Sequence, residues 1–401
     1  MSTRSSTLNP RLAALSVAIA VLGAGLMSIS WEWLETVEHL AVDLRFQARG
    51  TTQENSDTII VGVTDSSFTI ASRAPSIAAE IPAMATMAED WPWDRSVFAE
   101  LVRRLRASGA RLIVFDIVFA AETAGDDDFA RALAEPGAPV VLASWWQEAH
   151  STIGEGTVTL VEPREIFFQA IEARCGYANV WPDDDGVLRQ LTTTLQPSEM
   201  LGYPRNEMEP AQASLAFAAA QVLLPGLIAD AGFINYLRAP GNIPTLPIED
   251  IFLPDRWNGS WLQSGRAFQD QIVWVGPLSE IRFKDYHATP FGRMAGVETQ
   301  AQALSTLLNE GTLHPLSTST RLAWIWLLAF GGVFATWICR RVSLQILVIG
   351  SGALIWGGSA LVLFSMSNLV IPMVAPLAAW AIAGTGGVGV RFITEQRERK
   401  R

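Results

Sequence analysis

Two carboxylates lie where an α/β protein would place a ligand. Asp65 follows the β-branched run 59–63, and Asp116 lies in a second run, 112–118; both runs predict buried strands. One helix separates them, so a right-handed crossover makes the strands parallel neighbours that end at the same edge. Ligands of open sheets bind beyond that edge. We therefore expect Asp65 and Asp116 to hold a cation or a basic ligand, unless each only caps a turn or the following helix.

Two carboxylates in one crevice repel each other, so at least one is expected to have a raised pKa unless a positive charge compensates. Lys284 and Arg95 are the residues that we name for that compensation.

A second acidic group precedes a glycine. Asp183, Asp184 and Asp185 stand before Gly186 and resemble part of a calcium loop, but the spaced ligands and the terminal glutamate of an EF-hand are missing. We expect a solvated turn in which Arg189 pairs with one aspartate. Asp183, Asp185 and Arg189 are thus secondary candidates for a site.

The other reactive residue types are scattered. The four histidines, at 39, 150, 287 and 314, have no metal-ligand spacing, and the sequence shows neither a Ser-His-Asp order nor a G-x-S-x-G elbow. The two cysteines, at 175 and 339, exclude a disulfide framework. We expect no catalytic residue, metal, cofactor or enzymatic activity.

Charge divides the chain into a middle and two ends. Residues 31–320 hold all but two of the 40 acidic residues but only 19 of the 29 basic ones. An acidic middle is the opposite of what a nucleic-acid-binding protein needs, so we expect no nucleic-acid partner.

Four apolar segments are close to the roughly 20 residues that cross a membrane. They predict transmembrane helices at 12–30, 321–339, 342–364 and 369–390, between cytoplasmic tails at 1–11 and 391–401. The first could instead be a cleaved signal peptide, because Ser28 and Ser30 form a small-x-small pattern. Either way, the 31–320 domain is expected outside the cytoplasm.

Orientation follows from the basic residues that flank the segments. They cluster near the N-terminus, at Arg340–Arg341 and after Arg391, whereas 365–368 has no positive charge. Positive flanks stay in the cytoplasm. We therefore expect a multi-pass protein of the bacterial inner membrane, with its main domain in the periplasm and both termini cytoplasmic. Membrane lipid is then an obligatory partner.

Small residues recur every four positions in the last apolar segment, a pattern that favours close helix contact. They are Ala375, Ala379, Ala383 and Gly387.

In the outer region, strands and helices alternate in the order β-α-β-α-β between residues 59 and 143. This order predicts an α/β ectodomain with a largely parallel sheet. A final helix over 297–308 has its apolar residues on one stripe.

An ordered set of short motifs resembles the CHASE2 family of bacterial extracytoplasmic sensor domains. The motifs are VDLRF at 42–46, IVGVTD at 60–65, WPWDR at 91–95, GA at 109–110, VFDIVF at 114–119, DGVLR at 185–189, IVWVG at 272–276, Asp285 with HATP at 287–290, and MAGVE at 294–298. The resemblance implies one span, a sensor domain and then three spans. The family pattern has a histidine where this chain has Gln300.

The resemblance also implies a signalling role. Family members commonly continue into a cyclase, kinase or phosphodiesterase module, whereas this chain stops ten residues after Arg391. We expect a stand-alone sensor that detects an extracytoplasmic ligand or protein and relays the signal to a separate signalling or envelope protein. Two alternatives are a structural docking platform in an envelope complex and, less favoured, an extracytoplasmic enzyme using Asp65 and Asp116. The chain could also form a homo-oligomer.

Overall fold

The computed structural model describes residues 10–29, 31–52, 57–70, 76, 80–150, 156–309, 311–339 and 341–399. The chain divides into two compact units, Thr51–Thr312 and the pair of segments Met1–Gly50 and Leu313–Arg401. We call them the α/β unit and the helical unit.

The α-helices are α1 (Pro10–Ser28), α2 (Glu32–Arg49), α3 (Pro82–Met87), α4 (Ser96–Ala107), α5 (Asp126–Ala134), α6 (Glu165–Ala170), α7 (Pro197–Met200), α8 (Leu215–Leu223), α9 (Pro254–Trp257), α10 (Gly296–Leu308), α11 (Thr318–Ile338), α12 (Val342–Ser367) and α13 (Val374–Arg399). The strands are β1 (Thr58–Val63), β2 (Leu112–Phe115), β3 (Val140–His150), β4 (Gly156–Val161), β5 (Cys175–Tyr177), β6 (Gln190–Leu191), β7 (Thr194–Leu195), β8 (Gln212–Ala213), β9 (Gly232–Phe233), β10 (Thr245–Pro247), β11 (Ile272–Pro277), β12 (Tyr286–Thr289), β13 (Gly292–Ala295), β14 (His314–Pro315) and β15 (Leu369–Val370). Short 3₁₀ helices cover Ile248–Ile251 and Gln263–Phe268.

A mostly parallel sheet organises the α/β unit. Its strand order is β10-β1-β11-β2-β3-β4, and β5 also pairs with β3. Within this sheet β3 and β4 pair antiparallel, and the other described pairs are parallel. The predicted fold class of this region, α/β with a largely parallel sheet, is therefore confirmed.

Both faces of the central strands are covered. Successive side chains of a strand point to opposite faces, and one set, which includes Val61, Phe115 and Val275, packs with the apolar side of α4 in a buried core. On the other face α10 packs on β11, where a side chain at Gly276 would lie 2.8 Å from Val297. Because the strands are buried on both faces, their sequences are continuous apolar runs.

The crossover from β1 through α4 to β2 gives parallel strands, as predicted, but not neighbouring ones. β11 lies between them and pairs with each: Val61 is opposite Val275, which is opposite Phe115. The predicted adjacency is wrong because a strand from some 150 residues further along the chain completes the centre of the sheet.

The helical unit contains three helices long and apolar enough to cross a membrane, Thr318–Ile338, Val342–Ser367 and Val374–Ile393. The first apolar segment forms α1. Together α1 and α2, which are bent by 81° relative to each other, are also long and apolar enough to count as one broken span.

Helix α2 belongs to the helical unit, so the compact α/β unit is narrower than the 31–320 region assigned from the sequence. Phe46 packs edge-on against Phe364 at 4.9 Å, and the Arg45 guanidinium donates a 2.9 Å hydrogen bond to the Ile371 carbonyl. These contacts hold α2 against the segment that joins α12 to α13.

The small-residue stripe of α13 forms a helix interface, as the sequence indicated. Ala379 and Ala383 are fully buried in a cluster with residues of α1 and α11, including Ala20 and Ala329. Close approach continues at Gly387, where an added Cβ would lie 2.5 Å from the Thr336 hydroxyl.

Replacing Ala379 by leucine is expected to lower the melting temperature of the purified protein in detergent. Overpacking a filled interface costs about 1–3 kcal/mol. Ala381→Leu is the matched control, because Ala381 lies on the exposed side of the same helix. Equal melting temperatures for the two variants would show that the stripe does not set the packing.

Candidate functional site

A cleft of about 370 Å³ opens at the carboxyl edge of the sheet, where β2 and β11 end. Its walls come from these strand ends, from β3 and the segment after β5, and from the region between β11 and α10. The lining residues are Asp116, Val118, Trp145, Ala178, Val180, Pro277, Phe283, Lys284, Asp285, His287, Gly296 and Gln300.

Asp116 is fixed at this edge by the sheet itself, because its amide donates a 2.8 Å hydrogen bond to the Val275 carbonyl. Burial raises the pKa of Asp116 to about 8, and the nearby negative charge of Asp285 adds to the effect. A carboxyl group with this pKa is mostly protonated at neutral pH.

Asp285 stands beside the first residue of α10. Its side chain lies 3.0 Å from His287 Nε2, and its carbonyl accepts a 3.0 Å hydrogen bond from the Gly296 amide. A Cβ at Gly296 would collide with the Asp285 carboxyl group. The glycine of the MAGVE motif therefore allows an acidic side chain to lie against the start of a helix, where negative charge is favoured.

Gln300 occupies the next turn of α10. It is almost fully buried, and its side-chain amide donates a 2.9 Å hydrogen bond to the Ala178 carbonyl. This is the position at which the family pattern has a histidine. Here the residue joins α10 to the cleft wall that follows β5.

Asp65 and Asp116 are not brought together in this cleft. Asp65 is exposed after β1 and accepts a hydrogen bond from the Ser279 hydroxyl, which in turn accepts one from the Arg282 amide at 3.1 Å. The described lining of the cleft includes Asp116 but not Asp65. β11 separates the two strands. Through its hydrogen bond with Ser279, Asp65 stabilises the turn after β11, which corresponds to the alternative that each aspartate only caps a turn.

The two cations named for compensation also lie apart. Lys284 is in the cleft wall. Arg95 is buried elsewhere, 3.6 Å from Asp126 and stacked on the Phe119 ring at 4.8 Å. Lys284 therefore shares the cleft with Asp116, whereas Arg95 serves the loop before α5.

The acidic turn differs from expectation because Arg189 is completely buried and bonds to two aspartates. Its guanidinium donates to Asp183 at 2.8 Å and to Asp185 at 2.9 Å and 3.0 Å. The Asp185 side chain also accepts from the Val187 amide at 3.1 Å. A buried guanidinium needs such compensation, so this arrangement is a structural ion pair rather than an open cation loop.

The sequence did not identify the residues that line the cleft together with Asp116. Asp285 and His287 stand in recognisable motifs, but their spacing of two matches no standard site. Trp145 and Phe283 come from distant segments. Only the sheet order, which local patterns do not fix, unites these residues.

The raised pKa of Asp116 predicts a pH-dependent stability. Between about pH 4 and pH 8 the folded protein keeps a proton that the unfolded chain, with an ordinary pKa of 3.8, has lost. The free energy of unfolding therefore falls as pH rises, by up to about 1.4 kcal/mol per pH unit. We expect Asp116→Asn to flatten the dependence of melting temperature on pH in this interval. Identical slopes for wild type and variant would contradict it.

Comparison with known families agrees with this architecture. The sequence model of the CHASE2 domain matches residues 14–334, which is most of the chain. No curated protein and no solved structure is significantly similar to it. CHASE2 is a family of extracytoplasmic-type sensor domains, and the apolar helices fit a membrane protein. The chain belongs to the CHASE2 domain family.

Proposed function

We propose that the protein is an integral-membrane receptor that binds an extracytoplasmic signal and passes the change through its helices to a separate partner protein. The cleft at Asp116 carries the proposal, because a carboxyl group that no described side chain pairs with, beside an open cavity, is suited to a ligand although it costs stability. We propose no enzymatic activity for the chain itself.

The proposed arrangement has four spans in the bacterial inner membrane, with the α/β unit in the periplasm and both termini in the cytoplasm. Basic residues support it, because Arg341 stands before α12 and Arg391 lies towards the end of α13. The acidic 31–320 region lies between the first and second apolar segments, where the positive-inside rule places it outside. In this proposal α1 supplies the fourth span, and α2 lies on the periplasmic side.

A relay through the helices is supported by a clamp between α2 and the start of α13. The Glu38 carboxylate accepts hydrogen bonds from the Met373 and Val374 amides at 2.6 and 2.7 Å. Arg45 lies 3.6 Å from Glu38 and holds the Ile371 carbonyl. Since α2 runs directly into the α/β unit at Thr51, a movement of α2 pulls on the first turn of the last helix.

The far end of α13 is also attached. Arg391 donates to the Thr336 carbonyl at 3.1 Å and to the Cys339 carbonyl. The same two carbonyls accept from Gln345, each at 2.8 Å. Polar groups within an apolar bundle are worth most when paired in this way, and they join α11, α12 and α13 at the proposed cytoplasmic side.

A docking platform is the second candidate, because some large apolar side chains of the α/β unit face outward. Met208 and Ile228 are 92% and 91% exposed. In this alternative the surface holds an envelope partner and the cleft plays no part in switching.

Single-cysteine labelling in intact cells tests the arrangement. A cysteine at Ser260 is expected to react with a membrane-impermeant maleimide from outside, whereas one at Ser343, after Arg341, is expected to react only after the membrane is opened. This expectation follows from the positive charges that flank the apolar segments. The native Cys175 and Cys339 are first replaced by alanine. Labelling at Ser343 but not at Ser260 in intact cells would overturn the receptor proposal.

A further inference from the structure

The cleft presents two acidic side chains, Asp116 and Asp285. Within the described part of the chain, no side chain forms a hydrogen bond or ion pair with the Asp116 carboxyl. Asp285 lies 3.0 Å from the His287 ring. Desolvation without a compensating charge is what keeps Asp116 protonated. A ligand that supplies a positive charge with N–H donors would remove that cost.

The remaining walls suit a small organic molecule. The volume of about 370 Å³ lies at the lower end of the range for small-molecule sites. Trp145, which is 46% exposed, and Phe283 both line the cleft. Aromatic rings attract organic cations through their electron-rich faces.

A directly coordinated metal ion fits less well. The ligand atoms of Asp116, Asp285 and His287 do not all come within 4.8 Å of one another, whereas a metal draws its oxygen and nitrogen ligands to about 2.0–2.6 Å from one centre. An ammonium group reaches separated acceptors because its three N–H donors point in different directions.

We propose that this cleft binds the ammonium group of a small amine or amino acid between Asp116 and Asp285. The proposal deepens the receptor function and rests on it. Lys284 distinguishes the two kinds of ligand, a simple amine and an amino acid. An α-amino acid carries a carboxylate that Lys284 can hold from the same cleft wall, whereas a simple amine makes no use of it.

Proton exchange should accompany binding. The ammonium group favours the ionised carboxyl, so Asp116 releases its proton when the ligand enters below about pH 8. The charged and titratable groups that share the cleft are Lys284, Asp285 and His287. Affinity is expected to increase about tenfold per pH unit up to about pH 8 if Asp116 dominates.

Calorimetric titration of the full-length protein in nanodiscs tests the proposal with three matched probes: butylamine, 2-aminobutanoate and butanoate. We expect at least one of the two ammonium compounds to bind and butanoate not to bind. Asp116→Asn is expected to weaken the binding at least tenfold, whereas Asp127→Asn, at an exposed position of α5, leaves it unchanged. Lys284→Met should weaken 2-aminobutanoate but not butylamine.

Two results would overturn the proposal: no binding of either ammonium compound at millimolar concentration, or binding of butanoate with equal affinity. If Asp116→Asn does not fold, the pH dependence of the wild-type affinity decides, and a flat profile between about pH 6 and pH 8 counts against the proposal. Failure here leaves the receptor proposal intact, because the cysteine labelling tests that separately.

Discussion

A chain that turns back between two apolar helices has to satisfy the backbone groups that the turn leaves open, since a buried backbone group without a partner costs free energy. In the helical unit the segment between α12 and α13 meets this constraint in three ways. Glu38 accepts from the first amides of α13, Arg45 donates to the Ile371 carbonyl, and β15 pairs with β14. Two of these three interactions are made by side chains of α2. The helix that precedes the α/β unit in the chain therefore also satisfies backbone groups at the start of the last apolar helix.

The α/β unit contains the opposite situation, because no described side chain pairs with the Asp116 carboxyl. Asp116 is fixed by the register of β2 with β11, and its neighbour Asp285 is accommodated only because residue 296 is glycine. Two acidic groups next to a cavity are unfavourable to folding unless a positive charge or a hydrogen-bond donor compensates them. Arg189, by contrast, is completely buried and forms ion pairs with both Asp183 and Asp185. This difference separates the candidate binding site from a structural ion pair.

Several features could be predicted from the sequence because they depend on local patterns. Continuous apolar runs gave the parallel strands, and four-residue spacing gave the buried stripe of Ala379 and Ala383. The strand order could not be predicted in this way, because β11 enters the sheet centre from a distant segment and no local signal states its neighbours. That one insertion separates Asp65 from Asp116 and leaves Asp116 in a cleft with a different acidic residue, Asp285. The starting point of the last helix, Val374 rather than 369, likewise depends on the pairing of β14 with β15.

In the proposed receptor, occupation of the cleft changes the hydrogen bonds that Glu38 of α2 accepts from the Met373 and Val374 amides. Hydrogen exchange of the amides at Met373 and Val374, measured by mass spectrometry on the full-length protein in nanodiscs with and without butylamine or 2-aminobutanoate, tests it most directly. We expect exchange in this segment to change severalfold when the ammonium probe binds, and the change to disappear in Asp116→Asn. Exchange that stays the same in the wild-type protein at saturating probe would contradict the relay and favour the docking platform.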